Sequence, residues 1–351
     1  MVRRGAGGIN GEIMTALDQL ERERGISKED LIEAMEAALL SAYRKHFGTA
    51  ENVRIQFDRE TGNIRVLSRR QVVSQVKDPR KDISVGDAQA KSARYNEGDY
   101  LEEEIPAHGF GRIAAQTAKQ VVMQKLRDME RDMIYDEFSE REGDVVTGQV
   151  IRVDRGVVIV DLGRAEGFIL PQEQPRGEKY RERDRIKSYV LEVKRTSKGP
   201  HILLSRTHPG LLKRLLELEV PEIRDGVVEV KGLAREAGSR SKVAVKANLP
   251  EVDALGSCVG PRGSRVQVIV QELRGERIDI IEWNDDPEVF VGNALSPARV
   301  MAVQINQAEK IARVIVPDNQ LSLAIGRDGQ NARLAAKLTG WKIDIRSERN
   351  M

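Results

Sequence analysis

Apolar residues first recur at helical spacing between Ile32 and Tyr43. Ile32, Met35, Leu39 and Tyr43 form one stripe, Ser27 stands at the expected N-cap, and Gly48 marks the expected end. The period then changes to two. NVRIQFD and NIRVLSRRQVV alternate apolar and polar residues around RETG, which predicts a hairpin. After a polar stretch, GRIAAQTAKQVVMQKLRDMERDMIYDEFSER returns to the helical period. Its predicted core stripe is Ala115, Ala118, Val122, Leu126, Met129 and Met133, and its other faces carry charge of both signs, as a solvated surface does.

At Glu142 the pattern changes again. GDVVTGQVIRVDRGVVIVDLGRAEGFIL, DRIKSYVLEVKR and HILLSR are short alternating runs broken by glycines. Five such strands predict a small closed barrel of the OB type. The leucine-rich segment HPGLLKRLLELEVPEIRDG is a helix with a stop, expected to pack the barrel against the next domain. From Gly226 onward one order appears twice: strand, strand, helix, glycine loop, helix, strand. GPRG fills Gly260 to Gly263 and GRDG fills Gly326 to Gly329, an offset of 66 residues (326 − 260). Val259 matches Ile325, Gly275 matches Gly340 and Asp279 matches Asp344. The helix after the first loop is expected to turn Val266, Ile269, Val270 and Leu273 to its core. Leu273 pairs with Leu338 after a one-residue slip.

A paired glycine loop before a helix has a chemical use. Glycine lets a backbone approach a phosphate chain without Cβ interference, and the helix behind it offers free N–H groups and a positive dipole end. Arg262, Arg265, Arg327 and Arg333 add charge, and Val259 and Ile325 would floor an apolar groove for unstacked bases. This is how KH domains clamp single-stranded RNA, and the late position of the loop resembles the prokaryotic type. The predicted RNA-binding set is Gly260, Pro261, Arg262, Gly263 and Arg265 in the first copy, with Gly326, Arg327, Asp328, Gly329, Gln330, Asn331 and Arg333 in the second. Asp328 either repels phosphate and weakens the second clamp or caps the next helix and points away.

Composition narrows the function. The chain has 351 residues, 32% charged and 4% aromatic, with a net charge of +2, so any basic surface is local. Few aromatics argue against a large aromatic ligand pocket. A single cysteine, Cys258, leaves no disulfide framework and suits a reducing cytosol. The histidines at 46, 108, 201 and 208 make no metal spacing, so no metal or cofactor is expected. No apolar run reaches the ~20 residues of a membrane span, and MVRRGAGGINGEIM has no apolar core of a secretory signal. GAGGING has no preceding strand and is not a dinucleotide loop. Asp285 and Asp286 after Trp283 read as a turn and helix cap rather than a metal site. No nucleophile–base spacing appears, so no catalytic residue is assigned. A phosphorolytic exoribonuclease combining barrel and KH modules would need a larger catalytic core than the first 141 residues.

Residues Gly143 to Arg206 resemble the S1 type of RNA-binding barrel. Such modules present aromatics and a histidine on one face. By alignment those places hold Arg155, Val158 and Leu170 here, and core packing is expected for Phe168 and Tyr189; Tyr180 is the remaining aromatic. The barrel is therefore expected to bind RNA weakly, through Arg152, Arg155, Arg164, Arg183 and Lys187.

The order of helical N-terminal domain, barrel, KH and KH, with GRIAAQTAKQVV, CVGPRGSRVQ, IDIIEWNDDP and GQNARLAAKLTGWKIDI, resembles the NusA family of bacterial transcription elongation, termination and antitermination factors. The resemblance spans essentially the whole chain. It implies a multidomain α+β protein: a helical α/β domain over 1–141 that docks on RNA polymerase near the RNA exit, a five-stranded OB-type barrel over 142–207, and prokaryotic-type KH domains over 208–284 and 285–351. The last three would form a rigid rod for single-stranded nascent RNA. It further implies a cytoplasmic monomer that modulates pausing, termination and antitermination with other such factors. Some family members carry acidic C-terminal repeats; with the second KH unit ending near Met351, autoinhibition by such a tail is not expected. A translation or ribosome-associated RNA-binding regulator is the alternative; it shares the RNA chemistry but has no need of the first domain.

Overall fold

The structure is a computed structural model that describes residues 14–15, 17–18, 21–22, 27–48, 52–59, 61–106 and 110–350. The segment GAGGING lies outside them. The chain divides into two compact units, Met1–Glu130 and Arg131–Met351.

In the first unit the helix Lys28–Phe47 begins at Ser27, whose hydroxyl accepts the Asp30 N–H, and ends at Gly48 in the left-handed region. Ile32, Met35 and Leu39 are buried as the stripe requires. Strands β1 (Val53–Phe57) and β2 (Ile64–Val73) form the expected hairpin. The following polar stretch is more ordered than its composition suggests. It supplies β3 (Asp82–Ser84), a short helix Val85–Lys91 and β4 (Tyr100–Glu104), which complete a four-stranded sheet on β2. Among the described residues Val72, Ile83, Ala88 and Leu101 form a small core here, with Val85 and Tyr95 packed against it, too few apolar residues to show as a period.

The helix Phe110–Ser139 comes next. Ala114 and Ala118 are buried in the first unit, and Val122, Leu126 and Met129 pack beside them. Met133 departs from its expected place in the core and is 43% exposed. Within the second unit Ile134, Tyr135 and Phe138 take over the buried face. A seven-residue apolar spacing drifts around a 3.6-residue helix, so one stripe does not stay on one face for eight turns.

The second unit opens with β5 (Val145–Asp154), β6 (Val157–Asp161), β7 (Glu166–Ile169), β8 (Arg185–Thr196) and β9 (Gly199–Ser205), closed as a barrel in the order β5-β6-β7-β9-β8. Val146, Val150, Val158, Val160, Ile169, Ile186 and Ile202 fill it. The leucine-rich helix Pro209–Glu219 does more than join the barrel to its neighbour. Leu211, Leu212, Leu215 and Leu216 belong to the core of the next domain, so that domain starts with a helix rather than a strand. The same correction applies to the second copy, which starts with the helix Pro287–Ala294, capped by Asp286 as the acidic pair predicted.

Each copy is thus helix, strand, strand, helix, glycine loop, helix, strand. The first sheet joins β10 (Val228–Glu236), β11 (Arg240–Ala247) and β12 (Arg277–Glu282); the second joins β13 (Ala302–Asn306), β14 (Ile311–Val316) and β15 (Lys342–Ser347). In both, the central strand runs antiparallel to the first and parallel to the last. Strand β11 is buried on both faces. Val243 and Val245 enter the first core, while Ala244, with Ile281, enters the second. The fully buried Lys242 ammonium donates to Asp279 Oδ2 (3.0 Å) and to the Ser296 carbonyl (2.7 Å), so the back of the first sheet is the seat of the second domain.

Candidate nucleic-acid interface

The two glycine loops have the same backbone. Gly260, Arg262 and Gly263 have φ of 73°, 54° and 79°; Gly326, Asp328 and Gly329 have 76°, 52° and 71°. All six lie in the left-handed half of conformational space, which glycine enters at little cost and other residues rarely do. The glycines of each pair have different duties. A Cβ on Gly260 would lie 2.8 Å from Arg265 Cγ, and one on Gly326 would lie 2.7 Å from Asn331 Cβ, so the first glycine is needed for internal packing. A Cβ on Gly263 or Gly329 meets nothing within 4 Å, so the second glycine faces open space where a ligand backbone fits. Neither helix behind the loops, Ser264–Glu272 or Gln330–Thr339, has a side-chain N-cap. The first helical N–H groups, those of Ser264 and Gln330, donate to the Pro261 and Arg327 carbonyls, and the positive dipole end of each helix faces the loop, where it favours an anion.

The loops are braced by equivalent contacts. Arg265 Nη1 donates to the Ser257 carbonyl at 2.6 Å, and Asn331 Nδ2 donates to the Leu323 carbonyl at 3.4 Å; both acceptors lie on the helix entering the loop. Arg265 is also held by Glu222 at 2.9 Å. Asn331 requires a correction. It is fully buried and donates to the Leu295 and Ala324 carbonyls, so its side chain supports the loop from behind and is not presented to RNA. Gln330 and Arg333 point to the first KH copy. Gln330 Nε2 donates to Glu236 Oε2 (2.9 Å) and Ser239 Oγ (2.7 Å), and Arg333 Nε donates to Glu236 Oε1 (2.6 Å). The Arg333 hydrogen bond is the main reason the Glu236 carboxyl sits below its ordinary range.

The exposed tips are Pro261 with Arg262, and Arg327 with Asp328. Asp328 does not cap the following helix. Its side chain is 88% exposed and lies 3.7 Å from Arg327 Nε. Ile325 is exposed and Val259 half-buried beside their loops, where an apolar groove floor was expected.

On the barrel, Arg152, Arg155 and Arg183 are exposed, with Arg155 (φ 48°) at the tip of the turn between β5 and β6. Arg164 pairs with Glu137 at 3.1 Å, and Lys187 faces Glu272 at 3.9 Å, so these two are engaged within the protein. Phe168 is a second correction. It alternates with buried Gly167 and Ile169, faces outward, and stacks on His201 with centroids 4.4 Å apart and planes 12° from parallel. The barrel therefore carries an aromatic and a histidine on its outer face. The signal was available in strand parity: Gly167 and Ile169 point inward, so Phe168 cannot. Tyr189 does pack in a core, but against the first KH domain and in a stack with His208.

Comparison with known proteins assigns these parts. Residues 12–132 match the NusA N-terminal domain, 139–205 the S1 RNA binding domain, 206–283 the NusA-like first KH domain and 287–351 the NusA-like second KH domain. The transcription termination/antitermination protein NusA of Halalkalibacterium halodurans is 58% identical over 340 residues, covering 97% of this chain and 89% of that protein. Its counterpart in Bacillus subtilis is 57% identical over 340 residues, covering 97% and 92%. The chain belongs to the NusA family.

The solved N-terminal domain of NusA from Bacillus subtilis is 53% identical, covers 35% of this chain and 98% of that domain, and superposes with a TM-score of 0.32. Both glycine loops fall inside the NusA-like KH regions, and the Phe168–His201 stack inside the S1 region. Sequence reasoning missed that stack, and it missed Glu236 and Ser239, which hold the second NusA-like KH loop. No local motif marks those two residues; their role comes from the packing of one KH copy on the other.

Proposed function

We propose that this chain is an RNA-binding transcription factor. It docks on RNA polymerase through residues 1–141, holds single-stranded nascent RNA through 142–351, and modulates pausing, termination and antitermination together with other factors of that process. The domain limits proposed for this division are 141/142, 207/208 and 284/285. The observation that carries the RNA reading is the pair of matching glycine loops, each with an open-facing second glycine and a helix N-terminus without a side-chain cap behind it. Family membership supports the transcriptional role. The protein acts by binding rather than turnover, as a cytoplasmic monomer; its one cysteine is buried, and burial pushes that thiol up to about 11. Among the described residues no helix is long and apolar enough to cross a membrane.

Two measurements test this. Fragment 1–141, which keeps the helix Phe110–Ser139 whole, is expected to retain RNA polymerase without RNA, and 142–351 to bind RNA without polymerase. Retention by the second fragment alone would overturn the division, and co-purification with ribosomal subunits instead of polymerase would favour a translational role. Single-stranded RNA is expected to bind with log affinity falling against log salt by about 0.7 per neutralised phosphate. Equal binding of duplex RNA would contradict a KH clamp.

A further inference from the structure

The second loop is poor in usable charge. Arg327 lies beside Asp328, and Arg333 is committed to Glu236. An RNA backbone lying on that loop needs cations from elsewhere, and the structure places a group of them across one turn of chain. Gln330, directly after Gly329, donates to Ser239 Oγ at 2.7 Å. Gly238, the preceding residue, lines a cavity of about 510 Å³ between the barrel and the first KH domain. With consecutive Cα atoms ~3.8 Å apart, this cavity begins on the order of 10 Å from the second loop. Arg176, Lys179, Arg181 and Arg274 line it together with two carboxylates, Glu178 and Asp184, of which Glu178 is neutralised by the buried Arg206. Arg274 is paired with Asp184 at 2.9 Å. The other three are exposed and, among the described residues, have no ion-pair partner.

The cavity walls are fixed. A Cβ on Gly238 would lie 3.0 Å from the Arg176 carbonyl and 3.0 Å from Pro175 Cβ, so the barrel loop and the KH turn are in close contact. Below them Arg206 is fully buried, lying 2.6 Å from Glu178 and donating to the Glu272 carbonyl at 2.9 Å. Arg235 forms two 2.9 Å bonds to Glu276 and one of 2.9 Å to the Arg206 carbonyl. Breaking such a buried network by removing one partner is costly, so barrel and KH domain hold one relative position. A rigid concave surface bearing three unpaired cations suits a chain of phosphates better than a single ion.

We propose that the cavity between the barrel and the first KH domain is a phosphodiester subsite, formed by Arg176, Lys179 and Arg181, that receives the RNA backbone as it leaves the second KH loop. The inference rests on the RNA-binding reading above. The barrel then contributes to RNA binding through its seam as well as its stacking face, and the weak charge of the second loop is offset by its neighbour.

The test is a triple variant of the full chain, Arg176→Gln, Lys179→Gln and Arg181→Gln. Its control removes three exposed cations from the back of the second KH sheet: Arg313→Gln, Lys342→Gln and Arg346→Gln. Each is titrated with adenosine oligonucleotides of increasing length over a range of salt, with melting curves as the check on folding. Because the seam variant leaves three phosphates without a cation, its salt slope is expected to be shallower by about 2. Its affinity should stop rising with RNA length before the parent's does, and the control should match the parent. A seam variant with the parent's slope and length dependence overturns the subsite, as does an equal loss in the control. Lost binding of inorganic phosphate with RNA binding intact marks a free-anion site and also overturns it. A parent that binds no single-stranded RNA overturns the RNA-binding reading itself, and the subsite with it.

Discussion

The two KH loops share a backbone and differ in what their side chains do. At the tip Arg262 in the first copy is replaced by Asp328 in the second, with φ of 54° and 52°. Five residues after the first glycine, a half-buried Arg265 in one copy matches a fully buried Asn331 in the other, and both donate to the carbonyl of the equivalent residue. The first loop keeps at its tip a cation, Arg262, with no ion-pair partner among the described residues, and is braced by an ion pair that water can reach. The second has spent its cations within the protein and is braced from its core. Loop shape is thus preserved by glycine and by one backward hydrogen bond, while charge is free to change.

The sharpest way to break this comparison is to exchange its glycines. Gly326→Ala puts a methyl group 2.7 Å from Asn331 Cβ as well as straining φ, and is expected to cost ~3 kcal/mol or more. Gly329→Ala carries the strain alone, about 1–2 kcal/mol. Chemical denaturation of both variants checks the order; equal costs would show that the first glycine is not a packing position. Next in size is the brace. Asn331→Ala takes the side-chain donor from the Ala324 carbonyl, while the Leu295 carbonyl keeps the Ala298 N–H, and is expected to cost about 2 kcal/mol, against ~1 for Arg265→Ala, whose partners remain within reach of water.

Charge at the tip should alter RNA affinity and leave folding nearly unchanged. Arg262→Asp is expected to weaken single-stranded RNA binding about tenfold, near 1.4 kcal/mol. Asp328→Asn should tighten it a few-fold, with stability changed by less than ~0.5 kcal/mol because the side chain caps nothing. Fluorescence titration beside melting curves separates the two effects, and a destabilised Asp328→Asn would mean that the carboxylate braces the fold after all.

The smallest effect concerns the contact between the copies. Glu236 has its pKa lowered from 4.5, chiefly by the Arg333 hydrogen bond. A depressed carboxyl contributes stability above its unfolded pKa and loses it as pH falls through the folded value. Hydrogen exchange at the start of the Gln330–Thr339 helix should therefore quicken as pH is lowered below the ordinary glutamate range, after correction for the intrinsic exchange rate. For a partly exposed pair the loss is a few tenths of a kcal/mol. Glu236→Gln should abolish that pH dependence.

Much of this was legible in the chain. The loops, their 66-residue offset, the strands around them and the barrel's alternation come from glycine chemistry and local period. Phe168 has the residue type of a core position, but the parity of its strand, with Gly167 and Ile169 inward, turns it outward. The strand-helix-strand over 82–104 was missed because its few apolar residues make no period. Asn331 was misplaced because a polar residue beside a phosphate-type loop looks like a ligand contact until its burial is known.

By itself, the sequence determined where each backbone had to turn and which residues wanted water. Those preferences are local, set by torsion angles and side-chain hydration within a few residues. The tertiary structure decided which polar groups remained for a ligand. Arg333 belongs to Glu236, 97 residues away, and Arg206 to Glu272, 66 residues away, while Arg176, Lys179 and Arg181 remain unpaired among the described residues. A charge is spent or spared by whatever lies across the fold, and an ion pair of a few ångströms carries no trace of its partner in the surrounding sequence.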